Sequence, residues 1–121
     1  MEDYRNIHIS HDAEMIADEI CSLFAFSNKV PVLRLSLFYT LRNYRNDIDF
    51  LSLNKSYPND GANYNVGSID ESNGNIRKII SLMYPDCSTP YLYARVAIIF
   101  GLLKIKELID NNSDFNIADI M

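Results

Sequence analysis

The only two histidines, His8 and His11, stand at an H-x-x-H spacing, which on a helix offers two imidazoles to one metal ion. Such a site needs further ligands. This pair straddles the expected start of a helix and has no third ligand nearby, so no metal and no cofactor is expected. Cys21 and Cys87 belong to no Cys-x-x-Cys motif and fall in or beside apolar segments. They read as reduced thiols that pack as small hydrophobes. Asp47 with Asp49, and Asp70 with Glu71, could serve as acid and base. Carboxylates in irregular segments are ordinarily just solvated, and no G-x-S-x-G, H-E-x-x-H, P-loop or G-x-G-x-x-G accompanies them. A protein that works by binding is therefore expected, with no catalytic residues. An enzyme would need an enclosed polar pocket with perturbed carboxylates in residues 46–68.

Charge patterning points to two candidate surfaces. Residues 1–28 set Arg5 against Glu2, Asp3, Asp12, Glu14, Asp18 and Glu19, whereas residues 29–55 set Lys29, Arg34, Arg42, Arg45 and Lys55 against Asp47 and Asp49. Arg34, Arg42, Arg45 and Lys55 are the candidates for touching nucleic acid or an acidic partner, with Tyr39 and Tyr44 close enough to stack or hydrogen-bond beside them. Against this stands the simpler expectation that the arginines pair with the acidic first segment and complement a helix dipole. Asp12, Asp18 and Glu19 are the candidates for a basic partner, since complementary charge speeds association and selects partners. The whole chain carries a net charge of -5 at pH 7. That field repels a phosphate backbone, so direct DNA binding is disfavoured unless charge is segregated.

These residues must be positioned by helices. Ser10 is a plausible N-cap, with Asp12 and Glu14 in the first turn. Ala13, Ile16, Ala17, Ile20, Leu23 and Phe24 recur at helical spacing, so a helix is expected over roughly 11–25. A second helix has Pro31 in its first turn, Ser27 or Asn28 as cap, and Arg42 and Arg45 on one face at its end. Its apolar positions (Val30, Val32, Leu33, Leu35, Leu37, Phe38, Tyr39, Leu41) cover most of its circumference, which predicts a central helix or an oligomer interface. Arg34 in that setting needs a partner or a route to solvent. Asn73 or Asn75 is expected to cap a third helix carrying Ile76, Ile79, Ile80 and Met83. Thr89-Pro90 marks the cap and first turn of a fourth, over about 90–110. Gly101 inside it implies close helix packing. Residues 46–68 read as irregular, with Tyr57-Pro58-Asn59-Asp60-Gly61 as a turn and Ile48-Asp49-Phe50 and Asn65-Val66 as short extended pieces. Ile7 and Ile9 suggest one more, and Phe115, Ile117 and Ile120 a tail that packs back. At 121 residues this amounts to a single helical domain over 1–121. The fold class expected is all-α, a compact bundle of about four helices with one irregular loop at 46–68 and room for short extended pieces.

The order of features resembles the DndE family, the small accessory component of DNA phosphorothioate (sulfur) modification systems. The matching pieces are Ile7-His8-Ile9-Ser10 before an amphipathic helix, Val30-Pro31-Val32-Leu33-Arg34-Leu35-Ser36-Leu37, the run Ile76 to Pro85, and the GLLKIKEL ending that begins at Gly101. Arg34 is the distinctive polar position among them. The resemblance implies a helical module that self-associates and acts on or beside DNA within a multiprotein modification or phage-defence system.

Two functions are thus expected in order of preference. The first is a non-enzymatic accessory subunit of such a system, acting on its other subunits and, less readily, on DNA, with a homo-oligomer as one form of assembly. The second is an acidic immunity protein or antitoxin that neutralises a basic nuclease toxin through Asp12, Asp18 and Glu19. The longest apolar run, Val96 to Leu103, is far shorter than the roughly 20 residues a membrane span needs. The first residues are acidic rather than a basic region followed by an apolar run. No membrane association and a cytoplasmic address are therefore expected.

Overall fold

Ser10 has the extended backbone of an N-cap, and its hydroxyl accepts from the Ala13 N–H (3.2 Å), opening helix α1 at His11–Phe24. Pro31 sits in the first turn of α2 (Val30–Asn43), and Pro90 opens α6 (Pro90–Asn111). Between them lie α3 (Phe50–Ser56), α4 (Val66–Asp70) and α5 (Asn75–Met83), and a 3-10 turn (Ile117–Ile120) closes the chain. The computed structural model describes residues 2–71 and 73–121.

Among the described residues, four of the six α-helices (α1, α2, α5 and α6) are those the periodicity predicts. Two corrections apply. All-α is not an exact description, because β1 (Asn6–His8) and β2 (Asn63–Asn65) pair antiparallel with Ile7 opposite Tyr64. The loop expected at 46–68 also contains α3 and the start of α4, while the extended piece expected at Asn65-Val66 begins two residues earlier, as β2. Ile48-Asp49-Phe50 forms no strand: Asp49 has extended backbone, and Phe50 begins α3. Asp49 is the N-cap of α3 and accepts from the Ser52 N–H at 3.2 Å.

α6 is the hub. Leu92, Ala94, Val96, Ala97, Ile98, Ile99, Leu102 and Ile105 are buried along it, and α1, α2, α3, α5 and β1 all pack against it. Val32, Leu33, Leu37, Tyr39 and Leu41 of α2 are buried too. The apolar surplus of α2 and α6 is thus taken up largely by the chain's own core. At the α2–α6 crossing, Gly101 lies against the Ser36 carbonyl, and the Thr40 hydroxyl donates across the interface to the Ala97 carbonyl (2.6 Å). The tail packs back as expected. Ile117 is buried, and Phe115 meets Phe24 edge to face.

Charged side chains from distant segments hold the helix ends together. A helix N-terminus presents unpaired N–H groups and partial positive charge, so a carboxylate suits it. Asp3 accepts from Tyr91 N (2.9 Å) and Leu92 N (3.0 Å) at the start of α6, where Thr89, the expected cap, makes no side-chain bond. Asp60 accepts from His11 N (2.7 Å) at the start of α1. Asp70, itself buried, accepts from Ile76 N (2.6 Å) and Arg77 N (3.2 Å) at the start of α5. Asn73 and Asn75 therefore do not cap α5, whose N-cap position is Gly74 in the left-handed region.

The C-termini take the opposite charge. Arg95, 1% exposed, sends its guanidinium to the carbonyls of Asn54, Tyr57 and Pro58 at the end of α3 and to the His8 carbonyl of β1. Its fifth acceptor is Asn54 Oδ1 at 2.9 Å.

The Tyr91 hydroxyl donates to Asp70 Oδ2 at 2.6 Å. Partial burial and this bond to a carboxylate push the Tyr91 phenol up to about 12. The native state therefore holds that proton more tightly than the unfolded chain, whose phenol titrates near its ordinary value of about 10. The resulting stability is present in full below pH of about 10 and is lost as pH rises towards 12. Tyr91→Phe should remove that segment of the pH dependence. Urea midpoints measured from pH of about 9 to 12 should converge for the two proteins at the alkaline end, and a constant offset across the range would refute the assignment.

Candidate functional site

Arg42 and Arg45, the predicted basic pair, do come together. Arg42 stands in the last turn of α2, where a cation suits the helix dipole. Arg45 lies beyond the helix, which ends at Asn43, in a turn rather than on the helix face expected for it. That turn is pinned by the Asp47 N–H donating to the Tyr44 carbonyl (3.0 Å) and by the Tyr84 hydroxyl donating to the Arg45 carbonyl (2.7 Å). The two arginines border an open groove of about 480 Å³ whose other walls are Phe38 and Leu41 of α2 and Ile79 and Met83 of α5. Both α2 and α5 pack on α6, and the groove runs between them.

Neither arginine has an ion-pair partner among the described residues. Three of the four acids of α1, all but Asp12, are met by lysines instead. Lys29 reaches Asp18 (3.2 Å) and Glu14 (3.4 Å), and Lys106 reaches Glu19 (2.7 Å) and Asp110 (3.0 Å). The expected internal pairing of the arginines with the first helix is therefore replaced by Lys29 and Lys106.

The other candidates are dispersed. Arg34 is half-buried and held in place: its Nε donates to the Ile69 carbonyl (2.7 Å), and its guanidinium pairs with Glu71 (3.1 Å). It secures the C-terminal end of α4 to α2, which supplies the partner its apolar setting demands. Lys55 is exposed on α3, outside the groove. Tyr39 and Tyr44 face inward. Tyr39 is buried, and the Tyr44 ring packs edge-on against Phe100 (5.0 Å) with Lys104 above it, so neither is free to stack on a ligand.

On the acidic side, Asp12 is exposed in a second groove of about 590 Å³ between α1 and α6, lined also by Met15, Ile16, Glu19, Leu103 and Lys106. Of the three acids proposed for a basic partner, Asp18 and Glu19 are already engaged.

The carboxylate pairs have structural work. Asp49 caps α3, Asp70 caps α5, and Glu71 meets Arg34. His8 Nε2 lies 2.7 Å from the Gly61 carbonyl, which it meets as a donor. Cys21 and Cys87 are both free, and burial pushes each thiol up, away from the reactive thiolate. Among the described residues, no cluster of three or more His, Cys, Asp or Glu could hold a metal ion, and no helix is long and apolar enough to cross a membrane.

Sequence reasoning missed Ile79 and Met83 as groove walls. Their helical spacing marked them as core positions, yet Ile79 is exposed. No protein-family model, curated protein or solved structure matches the chain.

Proposed function

We propose that the chain is a non-enzymatic accessory subunit of a DNA-modification or anti-phage defence system, working through contacts with other subunits. The observation that carries this reading is the α2–α5 groove. In a chain of net charge -5, Arg42 and Arg45 stand exposed without an internal acid beside four apolar side chains. A cation pair left unneutralised next to apolar surface is the footprint of a binding face. The resemblance to the DndE family supports the kind of system. Its matching segments fall on the β1–α1 entry, α2, α5 and the second half of α6, and of these α2 and α5 are the groove walls and α6 the hub that carries them. Any direct contact with DNA would run through Arg42 and Arg45, against the field of the whole chain.

The immunity-protein reading draws less support, since Asp18 and Glu19 are tied to Lys29 and Lys106. Deleting the gene in its own host should abolish phosphorothioate in genomic DNA, measured by mass spectrometry of hydrolysed DNA, or abolish protection from phage. The wild-type gene should restore either phenotype, and the Arg42→Glu/Arg45→Glu variant should not. Unchanged sulfur content together with unchanged phage sensitivity would sink the proposal. Death of the deletion strain, relieved by inactivating a neighbouring nuclease gene, would establish the immunity reading in its place.

A further inference from the structure

We infer that the occupant of the α2–α5 groove is an acidic amphipathic helix of a partner protein, not a nucleic acid. The inference rests on the chain being a binding subunit and specifies what it binds.

The groove is apolar along its length and basic at its border. Phe38, Leu41, Ile79 and Met83 supply the walls, and the charged side chains lining it are both guanidinia. Phosphates and sugars gain nothing from four apolar walls, because backbone recognition relies on cations and polar donors. An amphipathic segment uses both parts, with apolar anchors against the walls and carboxylates towards Arg42 and Arg45.

Surface beyond the groove has the same character. Leu82 of α5 is 80% exposed, and it lines a neighbouring hollow with Arg77 and Lys78, both exposed and without ion pairs among the described residues. Cations thus flank the exposed apolar face of α5 on both sides, and charge complementarity asks for an acidic partner.

The walls also select a helix over an extended strand. Both are helices whose backbone groups are already paired, so a strand laid between them would find no main-chain partners. A helix brings its own hydrogen bonds and needs only side-chain contacts. Lying in the trough between two helices that share α6 as a neighbour, it would complete a bundle layer.

The test uses the full chain with a fluorescein-labelled helical peptide of about sixteen residues. The peptide carries leucines on one stripe and glutamates beside them. Three further probes complete the set: the same composition with the stripe scrambled, the same stripe with lysine for glutamate, and a duplex DNA of about 20 base pairs. Anisotropy at low salt should give saturable binding of the acidic striped peptide alone. Amide shifts on titration should be confined to the end of α2, the 44–45 turn and α5. Arg42→Glu/Arg45→Glu should weaken binding about tenfold or more. Ile79→Ser, which trims the apolar wall without adding charge, should do the same while leaving the circular dichroism spectrum that of the folded protein; the side chain is 36% exposed, so the melting temperature should fall by only a few degrees.

Absence of saturation, or equal binding of the scrambled or lysine peptide, overturns the inference. So does duplex binding that falls in the double arginine variant but is indifferent to the uncharged Ile79→Ser, which would make DNA the occupant. If peptide binding fails while the cellular deletion phenotype stands, the occupant is wrong and the subunit reading survives. If the peptide binds but deletion changes nothing, the reverse holds.

Discussion

Replacing Arg95 by methionine, which keeps the length and removes the donors, is expected to cost about 3–5 kcal/mol of stability, because several carbonyls lose their donor at once. Arg95 makes five contacts of 2.6–3.3 Å, all to neutral oxygens and none to a carboxylate. Burial pushes its guanidinium below the ordinary value, yet that value is so high that the group stays cationic at neutral pH. The charge is balanced by the carbonyl ends of α3 and by β1, where the peptide dipoles point their negative ends at it. Methionine fills the space but leaves the His8, Asn54, Tyr57 and Pro58 carbonyls without that donor, and each buried acceptor so stranded costs about 1–3 kcal/mol. Some will find water, which holds the total below the sum. Lysine recovers part of the loss at most, because its compact ammonium cannot span acceptors placed for a fork. Urea unfolding at neutral pH reads the effect directly. With a slope of about 1–3 kcal/mol per molar, the midpoint should drop by about 2 M. A methionine variant within about 1 kcal/mol of wild type would mean that water already serves those carbonyls.

Arg95 also marks where sequence reasoning stops. From the sequence it is visible as a charge bordering an apolar run and no more. Its partners lie 37 to 87 residues away, and nothing local announces them. The same holds for Asp3, whose role is to cap a helix that begins 87 residues later, and for Asp60 at the start of α1. Helix bodies were legible because their periodicity is a local property: α1 ends within a residue of expectation, and so does α6. Helix starts were legible where a local signal stands beside them, as Ser10 does at α1 and Pro90 at α6, whereas the remote carboxylates that cap them were not. The α3 helix carried a readable signal, with Asp49 before Phe50, Leu53 and Tyr57 at helical spacing. The proline-glycine turn that follows and the shortness of the segment masked it.

Half of the candidate site was legible for the same reason. Arg42 and Arg45 are close in sequence and share a groove in space. The α5 wall opposite them was not, because which helix stands across from which is decided by packing on α6. Tyr39 and Tyr44 were misread because a tyrosine's direction depends on neighbours such as Phe100, far along the chain.

Gly101→Ala tests how far that packing dictates the site, and a net loss of about 2–3 kcal/mol is expected. On helix propensity alone alanine should win by about 1 kcal/mol. Here a Cβ would sit 2.6 Å from Thr40 Oγ1 and nearer still to the Ser36 carbonyl oxygen. A hydroxyl can rotate away, but a backbone carbonyl moves only if α2 moves with it. The double variant Gly101→Ala/Thr40→Ala should therefore show no rescue. Thr40→Ala alone forfeits the hydrogen bond to Ala97, worth about 1 kcal/mol, and because displacing α2 already stretches that bond, the two losses together should not exceed their sum. Restoration of stability in the double variant would show that the hydroxyl, not the backbone, limits the approach. The displacement has a second readout. α2 carries Phe38, Leu41 and Arg42 into the groove, whereas α5 is seated on α6 independently. Pushing α2 off α6 shifts one wall relative to the other, so Gly101→Ala protein that is still folded should bind the acidic striped peptide more weakly than wild type. A glycine that touches no ligand would then be setting the shape of the binding face, through an interhelical contact with no room for a methyl group.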